Sequence, residues 1–351
     1  MSARDPPNPD DPIQYFIEEM ELSGKADQTV QNYRTALNYL EDYLDDHGYA
    51  AGELTERQCK QLIQFLKNAD SLSNTTAGTY AQAIDRFFQF YNTRGTFEVN
   101  PMALAREHQE IGNDTSDLRR DVSVIEMAEF LEWLSHPLTY AASFTMAKTG
   151  MRVGELSNLD VRDVYLDHPG VRREYGDHRP ALDGRPDSLY VESNSTMYEG
   201  AVVNGEERTA SNKRERATVI PIDEELKQVL VYWLAVRSPA RSDARPLFTV
   251  TAGKNGTRAG DRVSIDLVRD RLVRQAEAYG WWEKGAGVET NVTPHYFRHF
   301  FTTHMRNRTK DDAFVKFIRG DVGDDILDTY THAWGDKVEE TYRENIYSLL
   351  R

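Results

Sequence analysis

The sequence has a single cysteine, no long apolar run and no excess of basic residues. Cys59 alone cannot form an intrachain disulfide or a thiolate metal cluster. No apolar run approaches the ~20 residues that span a bilayer, and the opening MSARDPPNPDDP lacks the apolar stretch of a signal peptide. The sequence therefore predicts a cytoplasmic protein without a membrane span, and its 351 residues are enough for two domains.

The charge balance is acidic, with 57 Asp and Glu against 42 Lys and Arg and a net charge of −15. Nucleic-acid binders usually carry a basic surface. The chain therefore either binds no DNA or combines an acidic outer surface with one basic face. Because arginine strongly outnumbers lysine as well, we interpret the composition as adaptation to a salty cytoplasm (a halophilic protein). In ~1 M salt the Debye length is only ~3 Å, and counterion release no longer drives DNA binding strongly.

Helical periodicity dominates residues 13–102, after a Pro- and Asp-rich segment, 1–12, that we predict to be disordered. Apolar residues recur there at steps of three and four, which predicts four helices. Two of them are predicted at Ile13–Leu22 and Glu56–Asn68, and the other two begin near Thr29 and near Ser73 or Asn74, which are suitable caps.

The rest of the chain predicts a linker and a second domain. The polar stretch 103–120 has the composition of a linker. Within 121–351, helices are predicted at 124–134, 139–148, 224–235 and in most of the remainder, around a Gly- and Pro-punctuated region, 160–222, that ends in the strand ATVIPID. The chain is therefore predicted to be mainly α with a small antiparallel sheet, as a helical domain followed by an α+β domain.

A set of polar residues in the second domain has the chemistry needed to cut a phosphodiester with a tyrosine and no metal. They are Arg152 in TGMRVGEL, Lys213 in SNKRER, His295 and Arg298 in TPHYFRHFFTTH, and Tyr330 in DTYTH. Arg152 and Arg298 suit a phosphate clamp, because a guanidinium donates two hydrogen bonds and stays charged. Tyr330 is the candidate nucleophile, and a phenol of pKa ≈ 10 needs a nearby base and a neutralised phosphate.

Local sequence places these residues on particular elements. Gly150 predicts a helix end, so that Arg152 opens the next helix. Thr293-Pro294 predicts a helix start with Thr293 as N-cap. His295 and Arg298 then share a face near the positive end of that helix, where His295 could take the tyrosine proton or bind the phosphate. Lys213, in a turn before ATVIPID, could reach a DNA groove and protonate the departing 5′-oxygen.

Each of these residues also has a simpler structural interpretation. Arg152 could form a surface ion pair with Glu155, His295 could serve only the helix start, and Lys213 could be a solvated loop residue. Tyr342 and Tyr347 are alternative nucleophiles near the C-terminus. However, the apolar stripe of Val338, Tyr342, Ile346 and Leu349 predicts that Tyr342 packs in a core.

Together these motifs resemble those of the tyrosine recombinases, also called the phage integrase family. TGMRVGEL resembles the first-arginine box, PHYFRHFFTTH the HxxRH box and YTH the tyrosine box, while the N-terminal helices resemble a SAM-like core-binding domain. The resemblance implies two domains closing around a double-stranded DNA recombination site, with no metal or other cofactor. It also implies a monomer in solution, four protomers exchanging strands through a Holliday junction, and a C-terminal tail, 338–351, that docks on a neighbouring protomer.

Asp321 departs from the family pattern, because it stands nine residues before Tyr330, where the family usually has His or Trp. An ionised carboxylate cannot donate to a phosphate. Either Asp321 orients a neighbour such as Arg298 or His295, or another donor fills the position, and Arg319 and His332 are close in sequence. The segment 167–209 is also longer than a minimal family hairpin.

The sequence therefore predicts a site-specific DNA recombinase that acts through a 3′-phosphotyrosyl intermediate. A type IB topoisomerase and a catalytically silent DNA-binding accessory protein on the same fold remain alternatives. Helices starting near Thr29 and Asn74, and the basic turn before ATVIPID, supply the candidate DNA contacts. These are Asn32, Arg34, Thr76, Thr79, Arg214 and Arg216.

Overall fold

The computed structural model describes residues 11–25, 27–69, 72–107, 119–176, 178–253, 256–321 and 337–350. The chain divides into two compact units, one ending at Leu118 and the other beginning at Arg119. Within the described ranges, none of the helices combines the length and the apolar character needed to cross a bilayer.

The first unit contains five helices in its described residues. They are α1 (Pro12–Leu22), α2 (Asp27–His47), α3 (Glu56–Asn68), α4 (Asn74–Thr93) and α5 (Pro101–Glu107). Side-chain caps fix two of the starts, since Thr55 and Gln58 form a capping box before α3 and Ser73 accepts the Thr76 N–H at the start of α4. The core contains several aromatic rings among its aliphatic residues, and Phe16 of α1 packs edge-on against Phe87 of α4.

Two sequence predictions for this unit were wrong. Thr29 lies inside α2, which begins at Asp27, so it does not cap that helix. The predicted linker also overlaps a helix, because α5 covers Pro101–Glu107 and buries Met102 and Ala105 in the core of the first unit. The buried apolar face of α5 makes it a fifth helix of the unit rather than the start of a linker.

The second unit is mainly helical with a small antiparallel sheet, as predicted. Its helices are α6 (Val124–Trp133), α7 (Pro137–Thr149), α8 (Val153–Asn158), α9 (Pro169–Tyr175), α10 (Glu224–Val236), α11 (Ile265–Ala278), α12 (Pro294–Thr309), α13 (Asp312–Arg319) and α14 (Glu339–Asn345). Its strands are β1 (Val164–Tyr165), β2 (Ser188–Val191), β3 (Val202–Val203), β4 (Glu206–Glu207) and β5 (Thr218–Pro221).

The core of this unit is built around α7, which is buried along almost its whole length. A helix that is buried on every side lies in the middle of a domain, and α7 contacts α10, α11 and α12. The sheet has the order β1-β2-β5, with Leu189 opposite Ile220, and β3 and β4 form a separate two-stranded hairpin. This arrangement places the end of α7 beside α12, where the candidate site lies.

The long segment between β1 and β5 is held by buried charges. It contains α9, β2 and the β3-β4 hairpin. Asp160, which is fully buried, accepts Arg208 at 2.9 Å and Arg262 at 2.6 Å. Lys213 lies in the 26-residue connection, 192–217, between β2 and β5.

In this single chain, the described C-terminal residues 337–350 pack on the second unit, and the expectation that the tail docks on a neighbouring protomer stays a prediction. Tyr342, Tyr347 and Leu349 are buried in the core of the second unit. The fully buried Lys148 of α7 donates to the Tyr347 carbonyl at 2.5 Å and pairs with Asp223 and Glu225. The apolar stripe of the tail is thus part of the core of the second unit.

Candidate active site

Arg152 lies at the junction of α7 and α8, as predicted. Gly150 ends α7 with φ of +64°, and a Cβ at this position would lie 2.5 Å from Cδ1 of Phe301. Arg152 is the N-cap residue of α8, and its N–H donates to Glu155 Oε2 at 2.9 Å. Its guanidinium also pairs with Glu155, at 3.2 Å, so the ion pair considered from the sequence is present. This pair uses Nη1 of the guanidinium and leaves Nη2 for a second contact.

Arg298 is held in place by three elements. It lies on α12, is 2% exposed, and donates from Nη1 to the carbonyls of Gly150 at 2.8 Å and Arg319 at 3.1 Å. These bonds connect α12 to the ends of α7 and α13 and leave Nη2 facing the centre. Thr293 does occupy the N-cap position, but its side chain makes no capping hydrogen bond. Pro294 in the first turn therefore carries the local signal for this helix start.

Asp321 lies where the arginine side chains meet. Its Oδ1 accepts Arg152 Nη2 at 2.9 Å and Arg298 Nη2 at 2.6 Å, and its Oδ2 pairs with Arg319 at 2.7 Å. Burial pulls the pKa of this carboxyl upward, but Arg298, Arg319 and Arg152 together hold it below its ordinary value. Asp321 is therefore an anion that contacts three guanidinium groups.

We call Arg152, Arg298 and Arg319, together with Asp321 between them, the arginine centre. A buried ion pair supports it from the interior of the second unit. Arg214 and Glu155 are both completely buried and pair at 3.2 Å. Arg214 also donates to the Ile318 carbonyl at 3.1 Å, and Gly320 packs directly on it, where a Cβ would lie 2.5 Å from Arg214 Cγ. Burial acts to raise the pKa of Glu155, yet Arg214 and Arg152 keep it below its ordinary value. This burial contradicts the prediction that Arg214 contacts DNA, because its side chain has no exposed surface.

Lys213 is connected to the centre through its backbone. Its carbonyl accepts Arg152 Nη1 at 2.8 Å, while the residue itself is exposed. The buried Arg214 follows immediately and fixes this part of the loop. Arg216 is also exposed. The structure therefore places Lys213 next to Arg152 and leaves its side chain accessible.

His295 occupies the solvent-accessible first turn of α12. Its pKa lies below the ordinary value, chiefly because the ring is partly desolvated and then because Arg119, Arg298, Arg152 and Arg319 are nearby. A histidine in this environment is a neutral imidazole at neutral pH. It can accept a proton there.

Tyr330 and His332 lie outside the described residues. The two alternative nucleophiles are fully buried, as predicted for Tyr342. Tyr342 donates its hydroxyl to the Lys148 carbonyl at 2.9 Å, and Tyr347 donates to the Ala147 carbonyl. Burial raises the pKa of both phenols well above the ordinary value. Neither hydroxyl can reach a DNA backbone from this position.

The candidate DNA contacts of the first unit lie on α2 and α4. Asn32 and Thr79 are exposed, and Thr76 is partly exposed beside its capping partner Ser73. Arg34 pairs with Glu21 at 3.3 Å in a half-exposed ion pair. Exposed pairs of this kind contribute only ~0–1 kcal/mol, so the pair leaves Arg34 available to another anion.

The sequence analysis did not predict that Glu155 and Arg319 belong to the same centre as Arg152 and Arg298. Glu155 was considered only as a partner of Arg152, and Arg319 only as a possible substitute donor near Asp321. The sequence signal was the arrangement Arg319-Gly320-Asp321, in which glycine ends a helix between opposite charges. In the part of the chain that the structure describes, no group of three or more His, Cys, Asp or Glu side chains is placed to hold a metal ion.

Comparison with known proteins gives a consistent picture. Residues 11–104 match the family model of the phage integrase SAM-like domain. The chain is 22% identical over 318 residues to the tyrosine recombinase XerC of Actinobacillus pleuropneumoniae, covering 89% of this chain and 86% of that protein. It is also 22% identical over 349 residues to XerC of Neisseria gonorrhoeae, covering 94% and 93%.

Solved structures share the fold at low sequence identity. The Tn1549 transposon integrase in complex with a circular intermediate DNA superimposes with a TM-score of 0.63 at 16% identity, covering 92% of this chain and 94% of that one. A lambda integrase tetramer bound to a Holliday junction gives a TM-score of 0.61 at 15% identity, covering 89% and 77%. The two-domain architecture is thus shared along most of the chain.

Proposed function

We propose that this chain, which is similar to the tyrosine recombinases and phage integrases, is a site-specific DNA recombinase that cuts and rejoins DNA through a tyrosine. The curated relatives that match this chain along most of their length are tyrosine recombinases. The solved neighbours include integrases bound to DNA. These relatives favour recombination over a topoisomerase or a silent accessory protein.

The observation that carries the proposal is the convergence of Arg152 and Arg298 on one anion position. Their Nη2 atoms meet at a single oxygen, 2.9 Å and 2.6 Å away. Their Nη1 atoms bind Glu155 or main-chain carbonyls, which fixes the direction of both guanidinium groups before any substrate arrives. Preorganised donors of this kind stabilise a transition state because they need no reorganisation during the reaction.

In the proposed reaction, the Tyr330 oxygen attacks the phosphorus of a DNA phosphodiester. A bond forms between phosphorus and the tyrosine oxygen, and the bond to the 5′-oxygen breaks. The product is a 3′-phosphotyrosyl link and a free 5′-hydroxyl. Religation is the same exchange in reverse, so bond energy is conserved and no cofactor is consumed. Arg152 and Arg298 bind the non-bridging oxygens and offset the charge of the transition state.

His295 and Lys213 supply the two proton transfers of this scheme. His295 is a neutral imidazole beside the arginine centre, so it takes the phenolic proton or binds the phosphate. Lys213 is exposed next to Arg152 and donates a proton to the departing 5′-oxygen. Arg214 serves this arrangement from inside the protein, because its ion pair with Glu155 holds Arg152 and the Lys213 loop together.

The DNA contacts and the assembly are part of the same proposal. Asn32, Arg34, Thr76 and Thr79 contact the DNA from the first unit, and Arg216 contacts it from the loop that contains Lys213. The lambda integrase neighbour is a tetramer on a Holliday junction. We expect this chain to be a monomer in solution and to form a tetramer on two recombination sites.

A covalent-adduct experiment tests the proposal. Full-length protein is mixed, in molar salt, with labelled nicked duplexes tiled from the DNA that flanks its gene, and the products are run on a denaturing gel. We expect an adduct with wild type and none with Tyr330→Phe. Tyr342→Phe is a control for the loss of a phenol, although it also removes a buried hydrogen bond, so its folding is checked by circular dichroism.

Two other outcomes separate the alternatives. Sequence-selective binding without an adduct would support a silent accessory protein. A topoisomerase would instead relax supercoiled plasmids that lack the recombination site. We expect relaxation or recombination only with plasmids that carry the site.

A further inference from the structure

The arginine centre contains a preformed anion-binding position, and the carboxylate of the protein's own Asp321 occupies it. Both oxygens of Asp321 are used, with Arg152 and Arg298 on Oδ1 and Arg319 on Oδ2. Arginine forks bind carboxylates and phosphates with the same geometry. The two carboxylate oxygens of Asp321 therefore correspond to the two non-bridging oxygens of a phosphodiester.

The surrounding charges require an anion at this position. Burial, followed by the charges of Arg319 and Arg152, lowers the pKa of Arg298 to about 10. Three guanidinium groups this close repel one another unless a negative group lies between them. The Nε atoms of Arg298 and Arg319 are buried and have no hydrogen-bond partner among the residues that the structure describes. Some donors of the centre are thus unused while Asp321 occupies it.

The backbone of Asp321 is fixed, while its side chain is partly exposed. Its N–H donates to the Lys316 carbonyl at 3.0 Å, directly after the left-handed Gly320 that ends α13. The side chain is 31% exposed and lies at the accessible edge of the centre. A rotation about its own side-chain bonds changes the position of the carboxylate without moving α13.

We propose that Asp321 is an internal anion that occupies the position of the scissile phosphate in the DNA-free protein, and that Arg319 is a third arginine of the phosphate-binding set. This inference rests on the proposed function. Two anions at the same position near a protein surface repel each other, so the carboxylate withdraws when the phosphate enters. Arg319, released from Oδ2, then binds the phosphate with Arg152 and Arg298.

The proposal predicts that wild type excludes small oxyanions and that a neutral residue at position 321 admits them. Binding of inorganic phosphate to the full chain is measured by titration calorimetry and by thermal unfolding, with chloride replaced at constant ionic strength. We expect Asp321→Asn to bind phosphate at least about tenfold more tightly than wild type. Asp312→Asn is the matched control, since it removes an exposed carboxylate that pairs with Arg306 at the other end of α13. It should behave as wild type.

The role of Arg319 is tested in the same assay. Adding Arg319→Gln to Asp321→Asn should weaken phosphate binding at least about fivefold. Equal phosphate affinity in wild type and Asp321→Asn would overturn the internal-anion proposal. An unchanged affinity after Arg319→Gln would overturn the assignment of the third arginine.

A folding defect in Asp321→Asn would also be informative. In that case, folding is compared in phosphate and in chloride at equal ionic strength by circular dichroism. The proposal predicts that phosphate restores the fold, because it replaces the missing anion, and equal failure in both anions would contradict it. The adduct assay on wild type is run separately. Absence of an adduct there counts against the recombinase function, whereas phosphate binding reports on the anion position alone.

Discussion

At the scale of single residues, the centre depends on guanidinium geometry more than on charge. Arg298 makes hydrogen bonds in three directions, to Gly150, Arg319 and Asp321. A lysine ammonium is a single point on a flexible stem, so it cannot hold these directions together. Arginine at position 298 therefore positions one donor accurately while the others brace it.

Arg298→Lys should lower the rate of covalent-adduct formation by about 10²–10³-fold, the typical cost of removing one preorganised donor. The rate is measured in single-turnover reactions on a nicked recombination site. Arg306→Lys is the matched control, since Arg306 lies on the same helix with an exposed side chain. Comparable rates for the two variants would contradict the phosphate-binding role of Arg298.

The pH dependence of cleavage should report the environment of His295. Partial desolvation and the neighbouring arginines lower its pKa, so the neutral form persists to lower pH than in a free histidine. If His295 is the base, the acidic limb of the rate profile should have its midpoint below about pH 6.5, the ordinary value for histidine. The decline should disappear in His295→Gln. An acidic limb centred above pH 6.5, or one that survives the substitution, would argue against this role.

At the scale of elements, the buried pair of Glu155 and Arg214 connects α8, the loop before β5 and α13. Glu155 accepts Arg214, the Arg152 N–H and the Arg152 guanidinium. Removing one partner of a buried pair leaves the other charge unpaired, which typically costs ~3–5 kcal/mol. The centre and the stability of the second unit are therefore coupled.

Glu155→Gln should lower the free energy of unfolding by about 3–5 kcal/mol and should also reduce cleavage. Asp167→Asn is the control, because Asp167 pairs with Arg172 in an exposed ion pair, for which ~0–1 kcal/mol is expected. The free energy of unfolding of both variants is measured by urea denaturation. If the two variants lose the same small amount of stability, Glu155 does not hold the three elements together.

The elements themselves could be predicted from sequence where the signal is local. The prediction of Glu56–Asn68 matches α3 at both ends, because a capping box and an apolar stripe define it. The helix α5 was missed, since its seven residues carry too short a pattern and its burial depends on the other helices.

The polar centre could be predicted only in part, because its contacts join residues distant in sequence. Motif spacing pointed to Arg152 and Arg298, but no local pattern distinguishes the buried Arg214 from the exposed Lys213 and Arg216 beside it. What decides between them is Glu155, which lies 59 residues earlier in the chain. Likewise, the sequence left open whether Asp321 orients a neighbour, and the contact with Arg298 depends on how α13 ends against α12.

At the scale of the whole molecule, the net charge of −15 is the dominant feature. Excess charge of one sign destabilises a compact state by self-repulsion, and salt screens this repulsion. The basic groups of the candidate site are mostly paired with carboxylates inside the protein. We expect directed hydrogen bonds, more than counterion release, to provide the affinity for DNA.

Thermal stability should therefore rise with KCl. Most of the gain is expected before ~1 M, where the Debye length reaches ~3 Å. Specific DNA binding should persist in this range. The midpoint of unfolding is followed by circular dichroism, and binding by fluorescence anisotropy. Stability and binding that are both highest in low salt would contradict the interpretation of the composition as salt adaptation.

The most direct test of the central claim is to identify the residue that carries the DNA. The adduct formed by wild type on a nicked site is digested with protease, and the peptide attached to the DNA is identified by mass spectrometry. We predict a peptide linked through Tyr330 to a 3′-phosphate. A link through any other residue, or to a 5′-phosphate, would contradict the account.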